Sequence, residues 1–423
     1  MTPMRSGLLV LTVLLAATAP SAWATTACTI PVGVAMELTG AAGAYGQAAA
    51  KAVDLAFFDL NAAAESNECT FVAYVRDTQS EPTVAVDAAN QLVALQHVPL
   101  LIGGIVSSTT LPMLTSVTGP AHIVQISPAA SSPRLTALGR TGQSGGLFFR
   151  TITSDALQGT AAARQALDHG LQSIGVIYAN NDFGNGLEQE FVRAYQSLGG
   201  HVVITTPYNE HQSNYQAEVT RTLAAHPAAL YLVSTPVDGA TIARAWIAAG
   251  GPRRFLLNDG MNSADFIHAV GAKYLDEAYG TSSGTVAGAS NDYFAKAFRT
   301  RAQEDPQSPA ADRSYDAAAL AGLALLAAPT RDGAGTRRGL LRVTDPKGDV
   351  IHAGSDEFRR ARRLLKTGHA LRYEGVIGAV SFDAYGDISG PFRLWRIEKG
   401  VVRTTGELSA AAVVALRSQA GTP

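Results

Sequence analysis

Three loops early in the chain gather hydroxyls, small residues and glycines, and one later position adds a carboxylate. The first loop is Glu37-Leu38-Thr39-Gly40-Ala41-Ala42-Gly43-Ala44-Tyr45-Gly46. The second is Gly103-Gly104-Ile105-Val106-Ser107-Ser108-Thr109-Thr110, and the third Ser127-Pro128-Ala129-Ala130-Ser131-Ser132-Pro133. Glycines admit close backbone approach, and hydroxyls beside free amides at a helix start favour an anion such as a carboxylate. Ser107 or Ser108 could equally be a plain helix N-cap. Pro133 suits the first position of a helix capped by Ser132. Asp259, before Gly260, can hold a cation or only shape a turn.

None of these groups forms a reactive set. The first loop is spaced G-x-x-G-x-x-G, which is neither the dinucleotide fingerprint nor a phosphate loop. Gly142-Gln143-Ser144-Gly145-Gly146 fits G-x-S-x-G, but a polar turn precedes the serine and the strand-like Leu147-Phe148-Phe149 follows it. A nucleophile elbow needs strand before and helix after. Nine scattered histidines contain no H-E-x-x-H, and two cysteines make no zinc pattern. The expectation is a protein that binds without chemistry, with no metal and no cofactor.

The loops must be carried by something. From Thr29, short apolar runs alternate with helical patterns: strands at Ile30–Ala35, Cys69–Val75, Leu100–Gly103 and Ile123–Ile126, helices at Ala48–Asn61 and Thr83–Gln96. The pattern restarts with helical Leu157–His169, strand Ile174–Tyr178 and helical Leu187–Leu198. Strands at Val202–Ile204, Leu230–Val233 and Phe255–Leu257 follow, with helix Ile242–Ala249 between the last two. Tyr315–Leu326 and Glu357–Leu365 read as later helices, and Phe392–Ile397 as a closing strand. Tyr315 opens an apolar helix and reads as core. Such alternation predicts mostly parallel sheets covered on both faces, with ligands bound outside the carboxyl ends of the strands. At ~100–200 residues per domain, a chain of 423 residues suggests two lobes. Thr330–Ser355, rich in Gly, Arg and Asp, reads as a surface excursion. The Ala-rich tail after Arg403, taken as 406–423, reads as a peripheral helix or a frayed end.

The composition is ordinary: 47% hydrophobic, 16% charged, formal net charge −2, with no basic excess for nucleic acid and no charge block for a membrane surface. Arg5, the apolar run Leu8–Ala17, the breakers Pro20 and Ser21, and Ala22-Trp23-Ala24 give the three-part layout of a secretory signal peptide over residues 1–24. The apolar run is shorter than the ~18 residues of a membrane span. An uncleaved anchor and lipidation at Cys28 are the alternatives. Cys28 and Cys69 open the first two strands. Neighbouring parallel strands start side by side, so an exported chain could join them as a disulfide, two free thiols being the alternative.

Taken in order, the Leu38-Thr39-Gly40…Tyr45-Gly46, Gly103-Gly104…Ser107-Ser108-Thr109 and Ser127-Pro128-Ala129-Ala130-Ser131-Ser132-Pro133 loops resemble those of the leucine/isoleucine/valine-type periplasmic substrate-binding proteins of ABC transporters. The likeness continues through Phe149-Arg150-Thr151, Asn181-Asp182-Phe183-Gly184, Asp259-Gly260, Ser314-Tyr315-Asp316, Tyr373-Glu374-Gly375 and Phe382-Asp383-Ala384-Tyr385-Gly386-Asp387. It covers nearly the whole mature chain.

The resemblance implies two Rossmann-like α/β lobes joined by three crossovers: 28–150 with about 283–388, and 151–282 with about 389–405. It implies that Ser107, Ala129 and Ser131 hold an α-carboxylate, with Ser108 and Ala130 beside them, and that Asp259 holds an α-ammonium where the family often has Glu. Tyr45 lines the cleft and Phe183 is a cleft aromatic. Thr235 stands where leucine-binding members have an aromatic, a departure that suggests a more polar or larger ligand. Arg150 is expected to hold backbone or a carboxylate near the crossover. The implied function is a monomeric, periplasmic protein that captures an amino acid or related carboxylate or amide and delivers it to an ABC permease and ATPase. A ligand sensor feeding a receptor or kinase is the alternative, since fold alone does not fix output.

Overall fold

The computed structural model describes residues 28–419. The signal-peptide reading lies outside the described residues. The strands, in chain order, are β1 (Thr29–Met36), β2 (Thr70–Asp77), β3 (Leu100–Gly103), β4 (Val124–Ser127), β5 (Phe148–Arg150), β6 (Ser173–Ala179), β7 (His201–Tyr208) and β8 (Ala229–Val233). They continue as β9 (Phe255–Leu257), β10 (Tyr279–Ser283), β11 (Asp349–Ile351), β12 (Leu371–Gly375), β13 (Gly378–Ala379), β14 (Phe392–Glu398) and β15 (Val401–Leu408).

Two sheets dominate. The first runs β2-β1-β3-β4-β5, all parallel. The second runs β15-β14-β10-β9-β8-β6-β7, parallel through its β7-to-β10 part and antiparallel where β14 joins β10 and β15 joins β14. The near-continuous apolar strands follow from cover on both faces. On β1, Ile30, Val32, Val34 and Met36 enter one core with the buried helix Ala311–Ala327, while Ala35 enters another with Leu92 and Val98. Tyr315 is fully buried in the first of these, as its helical context predicted.

The chain passes from the first sheet to the second at 151–154. It returns at 284–288 to lay its next helices on the first sheet's core, and crosses again at 380–391 to reach β14. Three crossovers therefore join the two α/β units. The pairing of Thr29 with Thr70 sets Cys28 beside Cys69, and the two form a disulfide with Cα atoms 4.4 Å apart. Closing a loop across 41 positions contributes ~4 kcal/mol on the chain-entropy account.

One stretch differs from the sequence reading, and the tail takes the helical one of its two alternatives. Thr330–Ser355 is not a surface excursion: it contains helix Gly333–Val343 and β11, with Leu340 and Val343 buried in the first unit's core. Its glycines are packing devices, since a Cβ on Gly339 would lie 2.1 Å from the Ala324 carbonyl oxygen. Beyond Arg403, β15 runs on to Leu408 and helix Ala410–Gln419 follows, its Val413 buried against Leu157, Ala161 and Phe392.

Candidate functional site

The loops after β1, β3 and β4 leave the carboxyl edge of the first sheet and face those after β6, β8 and β9 of the second. Between them lies a cavity of about 730 Å³. Tyr45, Ser107, Ser108, Ala129 and Ser131 line it from one side, and Phe183, Thr235 and Asp259 from the other. Ala130 does not: it turns into an apolar cluster with Leu111, Leu135 and Phe148, because its neighbours Ala129 and Ser131 take the cleft-facing positions of the turn.

The first wall is tied from behind. Glu37 is fully buried and accepts hydrogen bonds from the Ile105 amide (2.8 Å) and the Thr109 hydroxyl. Burial raises its carboxyl above the usual range, against the pull of these donors. The Ser127 hydroxyl donates to the Gly104 carbonyl (2.7 Å) and accepts from the Ala130 amide (3.0 Å), joining the second and third loops. Arg150 is fully buried; it donates to the carbonyls of Ala130 (3.1 Å) and Ser132 (3.0 Å) and pairs with Asp387 at 2.7 Å. That is the backbone-and-carboxylate role expected of it. Val106, not a serine, occupies the N-cap of helix Ser107–Met113, and no side chain caps it. Ser107 Oγ instead accepts from the Ser132 amide at 3.2 Å. Ser132 does cap its own helix, accepting from the Arg134 amide.

The second wall is less committed. Thr235 precedes helix Pro236–Ala248 but caps nothing, and its buried hydroxyl has no hydrogen-bond partner. Asp259 opens the turn Asp259–Met261, and its Oδ1 accepts from the Gly260 amide (3.0 Å). It is thus both a turn residue and a cleft residue. Behind it stands Asp155, which the sequence reading did not single out. Asp155 is fully buried and accepts from the Ser131 hydroxyl at 2.8 Å. Burial holds its carboxyl well above the usual range, and the nearby charge of Asp259 adds to the rise. With its amide turned to suit its neighbours, Gln158 donates to Asp155 Oδ1 and accepts from the Asp259 amide, each at 3.3 Å. The hydroxyl of the fully buried Tyr231 has no partner, and both carboxylates act on it.

The walls touch. Tyr45 donates its hydroxyl to the Gly260 carbonyl (2.7 Å), and Ser132 Oγ donates to the Asp182 carbonyl (2.8 Å). Arg134 pairs with the Asp182 carboxylate at 2.7 Å. A two-lobed cleft whose polar groups converge from loops at the ends of parallel strands is a binding geometry.

The periplasmic binding protein family profile matches residues 29–400. The chain belongs to this family. It is 25% identical over 382 residues to Leu/Ile/Val-binding protein homolog 1 of Brucella abortus, covering 90% of this chain and 92% of that one. It is also 25% identical, over 362 residues and 84% of each chain, to the chemotactic signal transduction system substrate-binding protein BasB of Halobacterium salinarum. The crystal structure of the branched-chain amino acid transporter substrate-binding protein LivJ from Streptococcus pneumoniae, in complex with isoleucine, superposes with a TM-score of 0.72. It is 21% identical, with 90% of this chain and 99% of that one covered. The periplasmic binding protein fold expected from the sequence is therefore the fold found, and these relatives are substrate-binding proteins, not enzymes.

In this periplasmic binding protein, Ser144 of the G-x-S-x-G segment is buried in a turn between helix Pro133–Arg140 and β5, its hydroxyl accepting from the Gly146 amide. No strand leads into it, so the motif match is incidental. Among the described residues no group of three or more His, Cys, Asp or Glu is arranged to hold a metal. Asp155 escaped the sequence reading because an acidic residue just after a serine N-cap looks like an ordinary complement to a helix N-terminus. The one available signal was its position immediately past the first crossover.

Proposed function

We propose that this periplasmic binding protein is exported, captures a small α-amino acid or related carboxylate in the cleft, and delivers it to the permease and ATPase of an ABC transporter. The observation that carries the reading is Asp259 at the cavity wall with the buried Asp155 behind it: Gln158 links the Asp155 carboxyl to the Asp259 amide, and Ser131 bridges to Asp155 from the opposite wall. An ammonium between the lobes offsets the Asp259 charge and favours the carboxylate form of Asp155. Ser107, Ser108 and the amides around Ala129 offer donors for a carboxylate at the other wall. The functional lobes are 28–150 with about 283–388, and 151–282 with about 389–405. Ligand stabilises the closed arrangement only by its differential affinity for it. The leucine/isoleucine/valine-type relatives and the isoleucine complex support an amino acid as ligand. The likeness to BasB supports a second reading, in which the same capture feeds a chemotactic receptor.

The test is thermal unfolding of the mature chain against amino acids, small amides and aromatic acids. A ligand at ~100 times its dissociation constant adds ~2.7 kcal/mol. An α-amino acid should raise the midpoint, and Asp259→Ala should abolish the shift. A shift caused only by acids lacking an amine would remove the ammonium role of Asp259.

A further inference from the structure

The cavity is more acidic than the protein around it. Over the whole chain acidic and basic residues nearly balance, at 35 and 33. The cavity wall carries Glu210, Asp259, Asp292, Asp305 and Asp312 against Arg313 and Arg393. Arg313 and Asp312 pair with each other at 2.8 Å and offset one another, which leaves Glu210, Asp259, Asp292 and Asp305 against Arg393. Asp155, buried behind the wall, lies next to Asp259 with its carboxyl held well above the usual range by burial.

Polar groups without partners mark the same region. The Tyr231 hydroxyl is buried and unpartnered beside Asp155 and Asp259, and the Thr235 hydroxyl is buried and unpartnered at the cavity wall. Glu210 is held in place by one oxygen, which accepts from Asn181 Nδ2 at 2.8 Å. Its other oxygen has no protein hydrogen bond among the described residues. A branched aliphatic side chain would desolvate Glu210 and the Thr235 hydroxyl at the cavity wall and return no hydrogen bonds, whereas a second nitrogen would pair with Glu210.

We propose that the cleft selects a small ligand of net positive charge, an α-amino acid with a basic side chain, and that Glu210 is the carboxylate that reads the second nitrogen. This rests on the amino-acid reading above. The α-ammonium takes Asp259, with Asp155 behind it, the α-carboxylate takes the serine loops, and the excess acid of the cavity offsets the side-chain cation.

Titration calorimetry of the mature protein with lysine, arginine, leucine and glutamine tests it, with wild type and Glu210→Gln side by side. Glutamine at 210 keeps the shape and the acceptor for Asn181. Lysine or arginine should bind at least about tenfold tighter than leucine or glutamine, with affinity falling as salt shortens the screening length from ~10 Å to ~3 Å. Glu210→Gln should weaken the basic ligand at least about tenfold and leave the neutral ones unchanged. Tighter binding of a neutral ligand, an affinity for lysine and arginine insensitive to salt, or an unchanged affinity in Glu210→Gln would overturn the inference. If only neutral amino acids bind, the amino-acid reading stands and this inference alone falls. If no α-amino acid binds, both fall.

Discussion

The two walls of the cleft are built on opposite plans. On the first, nearly every polar group behind the ligand-facing loops is spent on the scaffold: Glu37 on Ile105 and Thr109, Ser127 on Gly104 and Ala130, Arg150 on Ala130, Ser132 and Asp387. On the second, Thr235 and Tyr231 keep hydroxyls unpartnered among the described residues, and Asp155 is a buried carboxyl that burial and Asp259 push well above its usual range. A pre-tied wall presents the same donors to any ligand and costs little to order on binding. A wall with unmet demands is where ligands are told apart, because a ligand that fails to meet them leaves buried groups unpaired. The difference assigns shared recognition to the first wall and discrimination to the second.

Breaking the first wall should cost the fold. Arg150→Ala strips the Asp387 carboxylate of its ion-pair partner, leaving it only the Thr136 hydroxyl, and removes the donor from the Ala130 carbonyl in a buried site; a loss of ~3–5 kcal/mol is expected by chemical denaturation. Breaking the second wall should cost the ligand instead. Asp259→Asn should leave the unfolding midpoint of the ligand-free protein within a degree or two while reducing α-amino-acid affinity by about 100-fold, or ~3 kcal/mol, by calorimetry.

The pH dependence sharpens the same contrast. Asp155 faces Asp259, Ser131, Arg150 and Glu190, with Tyr231 near, and its folded carboxyl lies well above the usual range. An ammonium favours the carboxylate form, so capture should release a proton at pH values below the raised one. Affinity should then rise with pH from the ordinary carboxylate range, near ~4, through that raised value and level off above it. Calorimetry in buffers of different ionisation enthalpy reads the proton directly; Asp155→Asn should flatten the profile. The smallest effect is expected at the contact between the walls. Tyr45→Phe removes one hydrogen bond to the Gly260 carbonyl and should weaken binding by ~1 kcal/mol, about fivefold, with unfolding of the free protein little changed.

How much of this was legible in the sequence follows from the range of the forces involved. The βα alternation is local, so the first sheet's strands, most of the second sheet's and the three glycine- and serine-rich loops could be read directly, as could Arg150 as a tether near the crossover, whereas β10 and β15 carry no such pattern and were not. Pairing Cys28 with Cys69 needed only that β1 and β2 be neighbours. Thr330–Ser355 misled because Gly339 signals a loop to a composition rule, while in the fold it lets one helix lie against another. Ala130 misled because adjacent small residues do not reveal which one faces the cleft. Asp155 and Tyr231 were invisible for a different reason. Each is ordinary in its own element, and only the packing of helix Asp155–Asp168 on β8 and β9 within the second unit brings them to Asp259. Glu37 likewise reads as a loop residue until the second loop folds over it.

The central claim is that this cleft captures an amino acid and does nothing to it. Native mass spectrometry of the mature protein incubated with the best-binding amino acid, followed by release and chemical analysis of the ligand, tests that directly. The account predicts one molecule bound per chain, recovered unaltered and in full, and none bound by Asp259→Asn at the same concentration. Recovery of a converted product, or equal occupancy in Asp259→Asn, would contradict it.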